Sequence, residues 1–174
     1  MRLHNVDKYF VVLLTAVGLA CAVGGLPPAV SAGEMTASPD APHLDRTGSK
    51  RVGTASFYAK KFAGRKMADG TPMRPQGNNA ASKTLPLGTT AKVTNLNTGK
   101  SAVVTIRDRG PYVKGRIVDL SPSTARQIGI GPKEGVARVE VAPIEVPLAD
   151  GRVKHGAAYA YVSRNQRASD GWDN

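Results

Sequence analysis

Cysteine is all but missing. The sole one, Cys21, lies near the N-terminus, so no intrachain disulfide can form, and the remaining chain must be held by its core and its sheet hydrogen bonds. Histidine is nearly as scarce. His4, His43 and His155 are scattered and no ligand-like spacing joins them, so neither a metal nor another cofactor is expected. Aromatic residues make up 5% of the chain, too few for a platform on which nucleic-acid bases stack. Acids are in the minority, with 13 Asp and Glu against 24 Lys and Arg and a formal net charge of +11. Within 51–150 sixteen bases face seven acids, a field that favours polyanions without naming one. Internal repeats and low-complexity tracts are also absent from the sequence.

Apolar residues are concentrated at the start. Arg2, His4 and Lys8 precede FVVLLTAVGLACAVGGL (10–26), Pro27-Pro28 end the run, and Val30-Ser31-Ala32 offers the small residues a signal peptidase reads. The run is short and glycine-broken, so residues 1–32 read as a secretory signal cleaved after Ala32 rather than a retained anchor. Lipidation at Cys21 is the alternative, but Gly18 stands where a lipoprotein signal carries an aliphatic residue. Arg2 and Lys8 against Asp7 give this segment +1, which leaves +10 and no cysteine on the cleaved chain. The expected location is the periplasm or cell envelope, with an outer-membrane lipoprotein as the variant in which Cys21 is lipidated and a membrane becomes a partner. The abundant polyanions there are peptidoglycan, with its stem-peptide and lactyl carboxylates, and acidic lipids. Nucleic acid, a cytosolic partner, is not expected.

Residues 33–50, GEMTASPDAPHLDRTGSK, are small, polar and proline-marked, and read as a flexible linker. From Arg51 the texture changes. GTASFY (53–58), TAKVTNL (90–96), KSAVVTIR (100–107), GRIVDLS (115–121) and GVARVEVAPIEV (135–146) read as strands, and Asn97-Thr98-Gly99 supplies a hairpin turn between the second and third. Ser121 as cap, Pro122 at the first helical position and Gly129 as stop predict one short helix. Short strands with glycine-rich turns and few helices predict a mainly β domain over 51–147, a small barrel. Residues 148–174 form a partly disordered extension in which AAYAYV (157–162) is predicted as an edge strand, and Trp172 is not expected in the core.

GTASFYAKKFAGRKMADGTPM, the run from NNAASKTLPLGT to DLSPSTARQIG, and the closing VARVEVAP together resemble the rare lipoprotein A family of septal ring lytic transglycosylases. The likeness runs from about Gly53 to Pro143, and the TLPLGT, VTNL and DRGPY-GRI-DLS pieces with their spacing make it specific. It implies a six-stranded double-psi β-barrel with one or two short helices, as in expansins. It also implies endolytic cleavage of the MurNAc-β-1,4-GlcNAc bond of peptidoglycan glycan strands to 1,6-anhydro-MurNAc ends, with strands lacking stem peptides preferred. The setting would be wall remodelling or cell separation, and other cell-division or envelope proteins are candidate partners. The DRGP aspartate is retained as Asp108, whereas Thr71 stands at the place of the family's usual acid and Ser82 at that of its histidine. A non-catalytic, expansin-like peptidoglycan-binding module is the alternative those replacements leave open.

This reaction needs one carboxyl group, which protonates the leaving oxygen and then draws the proton from the muramoyl C6 hydroxyl as that oxygen closes on C1. A hydrolase usually needs two carboxyls at a set separation. Asp108 is the first candidate and Asp119 the second. Against catalysis stand an ion pair of Asp108 with Arg116 or a cap on the Gly110-Pro111 turn, and for Asp119 a place facing the positive end of the helix that follows. In an extended strand Arg107 and Arg109 point away from Asp108. Tyr58 and Tyr112 are candidate sugar-contacting residues, and Asp69 lies two residues before Thr71 as a partial stand-in for the missing acid. Ser82, Lys83, Arg109 and Arg116 complete the candidate binding set. Ser82 has no histidine within reach in the sequence, which disfavours a serine hydrolase.

Overall fold

The computed structural model describes residues 43–170. Cleavage after Ala32, lipidation of Cys21 and the environment of Trp172 lie outside the described residues. Seven strands make one sheet: β1 (Arg51–Phe57), β2 (Asn79–Ala81), β3 (Thr90–Asn95), β4 (Ser101–Asp108), β5 (Arg116–Leu120), β6 (Ala137–Pro147) and β7 (Val153–His155). Their order is β1-β5-β2-β4-β3-β6-β7, and a further β1–β6 pairing closes the first six into a barrel. β1 runs parallel to β5 and β2 parallel to β4, while the remaining pairs are antiparallel. The fold is the six-stranded double-psi β-barrel, with two α-helices among the described residues, α1 (Pro122–Gln127) and α2 (Tyr159–Asp170), and one turn of 3-10 helix at Lys60–Phe62.

Alternation explains the core. Ala91, Val93 and Asn95 of β3 and Ala102, Val104 and Ile106 of β4 point inward, and their neighbours point out. Val118, Leu120, Val139 and Val141 fill the same interior, closed at one end by Ile128 and Ile130 after α1. Each such aliphatic side chain stabilises the fold by about 1.5–3 kcal/mol relative to exposure. The β3–β4 hairpin turns where the sequence predicts. Gly99 adopts φ 70° and donates its N–H to Asn95 O, while the buried Asn95 amide donates to Ile128 O at 2.9 Å and ties the turn to the end of α1. Ser121 caps α1, its hydroxyl accepting the Thr124 N–H at 3.2 Å with Pro122 at the first position.

The chain after the barrel differs from expectation. AAYAYV is not an edge strand: its last four residues open α2, and the edge strand is β7, paired with Glu145–Pro147 of β6. The reason is packing. Ala158, Tyr159 and Val162 fall at helical spacing and meet Ala142 and Ile144 on the far half of β6. Gly156 permits this approach, since a Cβ there would sit 2.4 Å from Pro143 O. The end of the segment expected as a linker is also engaged, because Asp45 donates its N–H to Thr84 O and Gly48 O accepts from Ala157.

Candidate active site

Strict alternation along β4 would send Asp108 inward after Ala102, Val104 and Ile106. The register prevents this. Ala80 of β2 pairs with Ile106 but Ala81 pairs with Asp108, so Arg107 is an extra residue and the strand's facing reverses across it. Asp108 thereby leaves the core side at the end of its strand. Ala81 also pairs with Asp119 on β5, so the two acids occupy one lateral row across β2. Their Cα atoms lie about 9–10 Å apart by two inter-strand spacings.

A short excursion covers the Asp108 end of this row. Residues 64–73 fold back on themselves, with Gly64 N–H bonded to Met73 O, Met73 N–H to Arg65 O and a turn at Met67–Gly70. Asp69-Gly70 sits at its tip, a dipeptide suited to a hairpin turn, and Met67 and Met73 are buried beneath it. The tip is fastened to β4: Ala68 N–H donates to Asp108 Oδ1 at 3.0 Å, Asp69 N–H donates to Arg107 O, and the Arg107 guanidinium pairs with Asp69 Oδ2 at 3.0 Å.

Asp108 lines a cleft of about 230 Å³ with Tyr58, Phe62, Arg65, Lys66, Met67 and Met73. Its Oδ1 accepts from the N–H groups of Ala68 and Arg109, at 3.0 and 2.8 Å, and its Oδ2 accepts from the Tyr58 hydroxyl at 3.0 Å. Oδ1 is thus fully occupied and Oδ2 keeps an acceptor position for a ligand. No guanidinium bonds to this carboxylate among the described residues. Arg116 pairs with Asp119 instead, and Arg109 donates through Nη1 to Ser82 O and Leu85 O, at 3.1 and 2.6 Å. Burial, and then the Asp108 charge, push the Tyr58 phenol well above its ordinary value, so Tyr58 stays a donor.

Asp119 is bound differently. Both its oxygens accept from Arg116 Nη2, at 2.6 and 2.7 Å, and Arg116 Nε is buried without a partner among the described residues. Burial pushes the Asp119 carboxyl above its ordinary value, opposed by the Arg116 guanidinium. Its partner is that cation rather than the helix end. Asp69 is occupied too: desolvation acts to raise its pKa, but the Thr71 hydroxyl and N–H and the Arg107 guanidinium outweigh it and leave the carboxyl low.

Tyr58 and Asp108 are therefore the candidates the structure brings together in this cleft. Ser82 is buried, its hydroxyl accepting the Leu85 N–H and its own N–H donating to Asp108 O. Lys83 is exposed, Tyr112 is 77% exposed beyond the cis Gly110–Pro111 bond, and neither lines the cleft. A second cavity of about 410 Å³ adjoins the first, with Met67 in the wall of both, and is lined by Thr71, Arg74, Asn78, Asn79 and Arg107. Sequence reasoning named Thr71 but missed Phe62, Arg65, Lys66, Met67 and Met73 around the first cleft and Arg74, Asn78 and Asn79 around the second. The signal was Asp69-Gly70 between two methionines, which marks a hairpin with an apolar underside. Among the described residues no group of three or more His, Cys, Asp and Glu side chains could hold a metal ion.

A barrel of this topology with an acid at the edge of β4 defines a class, and comparison with known proteins gives the family. Residues 50–141 match the family model described as lytic transglycolase, and the chain belongs to that family. It is 45% identical over 127 residues to the endolytic peptidoglycan transglycosylase RlpA of Pasteurella multocida, covering 71% of this chain and 42% of that one. The Pseudomonas aeruginosa protein of the same name is 43% identical over 104 residues, 60% of this chain and 30% of its own. The chain thus spans less than half the length of these curated relatives. Among solved structures, a Clavibacter michiganensis expansin aligns at TM-score 0.43 and 19% identity, over 57% of this chain and 52% of that one.

Proposed function

We propose that the protein is an exported endolytic transglycosylase that cuts the MurNAc-β-1,4-GlcNAc bond of peptidoglycan, with Asp108 as acid and then base. One observation supports it most: Asp108 presents an oxygen with a spare acceptor position to a cleft, held by three donors and bonded to no guanidinium among the described residues, although Arg65 and Lys66 stand in the cleft wall. Protonated Asp108 gives its proton to the glycosidic oxygen as the C1–O bond breaks. The resulting carboxylate takes the proton of the muramoyl C6 hydroxyl while that oxygen bonds to C1, which closes the 1,6-anhydro ring and regenerates the acid. Tyr58 and the Ala68 and Arg109 N–H groups hold the carboxylate in place through both steps, and its orientation rests on backbone rather than on a long flexible side chain. The family membership and the names of the relatives support the same bond and polymer. Under this reading residues 1–32 are the export signal, the workplace is the periplasm or cell envelope, and glycan strands without stem peptides are the preferred substrate.

A second reading has its own support. Thr71 contributes a hydroxyl engaged by Asp69, and Ser82 is buried, so neither supplies a second acid or an imidazole to the Asp108 cleft. These replacements support a wall-binding module without catalysis. The purified full chain in mild detergent, incubated with amidase-treated sacculi, separates the two. Anhydromuramic ends detected by mass spectrometry support catalysis, and sedimentation with sacculi without such ends supports binding alone.

A further inference from the structure

We infer that the cavity formed by Arg74, Arg107 and Asn79 is a carboxylate subsite beside Asp108, and that it takes the free lactyl carboxylate of a muramoyl residue. The inference rests on the reading of the substrate as a muramoyl glycan, but its evidence is separate from the catalytic acid. Three observations carry it. First, the cavity of about 410 Å³ shares Met67 with the Asp108 cleft, so a ligand in one lies next to the other. Second, its charge is of one sign. The Arg74 side chain has no ion pair or hydrogen bond among the described residues, and Arg107 uses one nitrogen, Nη1, for Asp69 and keeps its other side-chain donors. Third, Asn79 is 4% exposed, lines the cavity, and its Nδ2 is buried without a partner among the described residues. A buried donor left unmatched disfavours the empty state and favours a ligand that accepts.

The chemistry these groups select is narrow. Two guanidinium groups and an amide N–H are all donors, and a carboxylate is an acceptor on every side. A muramoyl residue carries its carboxylate on a lactyl ether at O3. In strands that bear stem peptides this group is an amide, which has lost its charge and one acceptor oxygen and carries a bulky chain. The site therefore discriminates by charge as well as by size. Thr71 keeps the cavity open to an anion, because an acid at 71 would place a carboxylate beside Arg74 from within.

The test is a binding titration of the full chain carrying Asp108→Asn, so that the ligand stays intact. The ligands are a muramoyl-containing tetrasaccharide with free lactyl carboxylates, the same saccharide as lactyl methylamides, and chitotetraose. The free acid is expected to bind about tenfold tighter than the amide, with the preference falling as salt is raised. Arg74→Gln, whose side chain holds nothing else in place, is expected to erase that preference and to leave chitotetraose affinity unchanged. Thr71→Glu is expected to erase it as well, by occupying the subsite with its own carboxylate. Equal affinities for acid and amide, or a preference that survives Arg74→Gln, would overturn the inference. Discrimination by a wild type that makes no anhydro ends would keep the subsite and remove the catalytic reading, and anhydro ends without discrimination would do the reverse.

Discussion

The two acids of the lateral row should separate cleanly when each is changed to its amide. Asparagine at 108 keeps an oxygen for the N–H groups of Ala68 and Arg109, and its amide can donate to the Tyr58 oxygen, so all three contacts have a counterpart. The stability change is expected to stay within about 1 kcal/mol, the net worth of an ordinary hydrogen bond. What is lost is the proton, and a positioned acid–base group is worth about a hundredfold to ten-thousandfold in rate. Asp119→Asn does the opposite. It leaves the Arg116 guanidinium, whose side chain is 25% exposed, with one neutral partner and an Nε already unsatisfied. Breaking a fully buried pair costs about 3–5 kcal/mol, and partial exposure brings the expected loss here to about 1–3 kcal/mol. Anhydromuramic product formation and thermal melts on the same three proteins read both quantities. Asp108→Asn should abolish product with its melting point kept, and Asp119→Asn should lower the melting point with product retained below it. Product from Asp108→Asn within about threefold of wild type, or the two effects exchanged, would refute the assignment.

Further perturbations test individual contacts. Tyr58→Phe removes the one donor to Asp108 Oδ2 and is expected to lower turnover about tenfold to a hundredfold, as loss of a hydrogen bond to a charged group would, and unchanged turnover would exclude Tyr58 from positioning the acid. Gly156→Ala drives a methyl group into Pro143 O and should cost about 1–3 kcal/mol, seen as earlier proteolytic release of α2, whereas wild-type resistance would contradict the close approach. Asp69 is held below its ordinary value of 3.8 in the fold, so its contribution to stability is complete above that value and is lost as pH falls through the lowered one. Asp69→Asn should therefore flatten the acid limb of the melting curve measured from about pH 6 to about pH 2, and an unaltered limb would show that another carboxylate sets it.

Much of the barrel was legible because its signals are local. The alternation of β3 and β4, the Asn-Thr-Gly turn between them and the Ser-Pro start of α1 each act through neighbours a few residues away, and each appears where the sequence places it. Strand β2 was not legible. It has three residues, all buried, and it exists only because β4 and β5 flank it on both sides. Helix α2 was misread because alternating Tyr and Ala fits a strand as well as a helix until Ala142 and Ile144 decide which face is covered.

The site shows the same division between local and distant causes. Asp108 could be named from its motif, but period-two reading along SAVVTIRD puts its carboxylate on the face of Val104 and Ile106, inside the barrel. A single extra residue reverses that, and nothing in the residue type at 107 announces it, since the slip is a property of how β4 meets β2. The same extra residue is the arginine that fastens the 64–73 excursion through Asp69 and lines the second cavity. One register shift thus turns the acid out of the core, supplies the cation for the hairpin fastened to it, and places that cation in the wall of the neighbouring cavity. A strand without the shift would leave residue 108 on the inward face with Val104 and Ile106, away from Tyr58 and the 64–73 excursion.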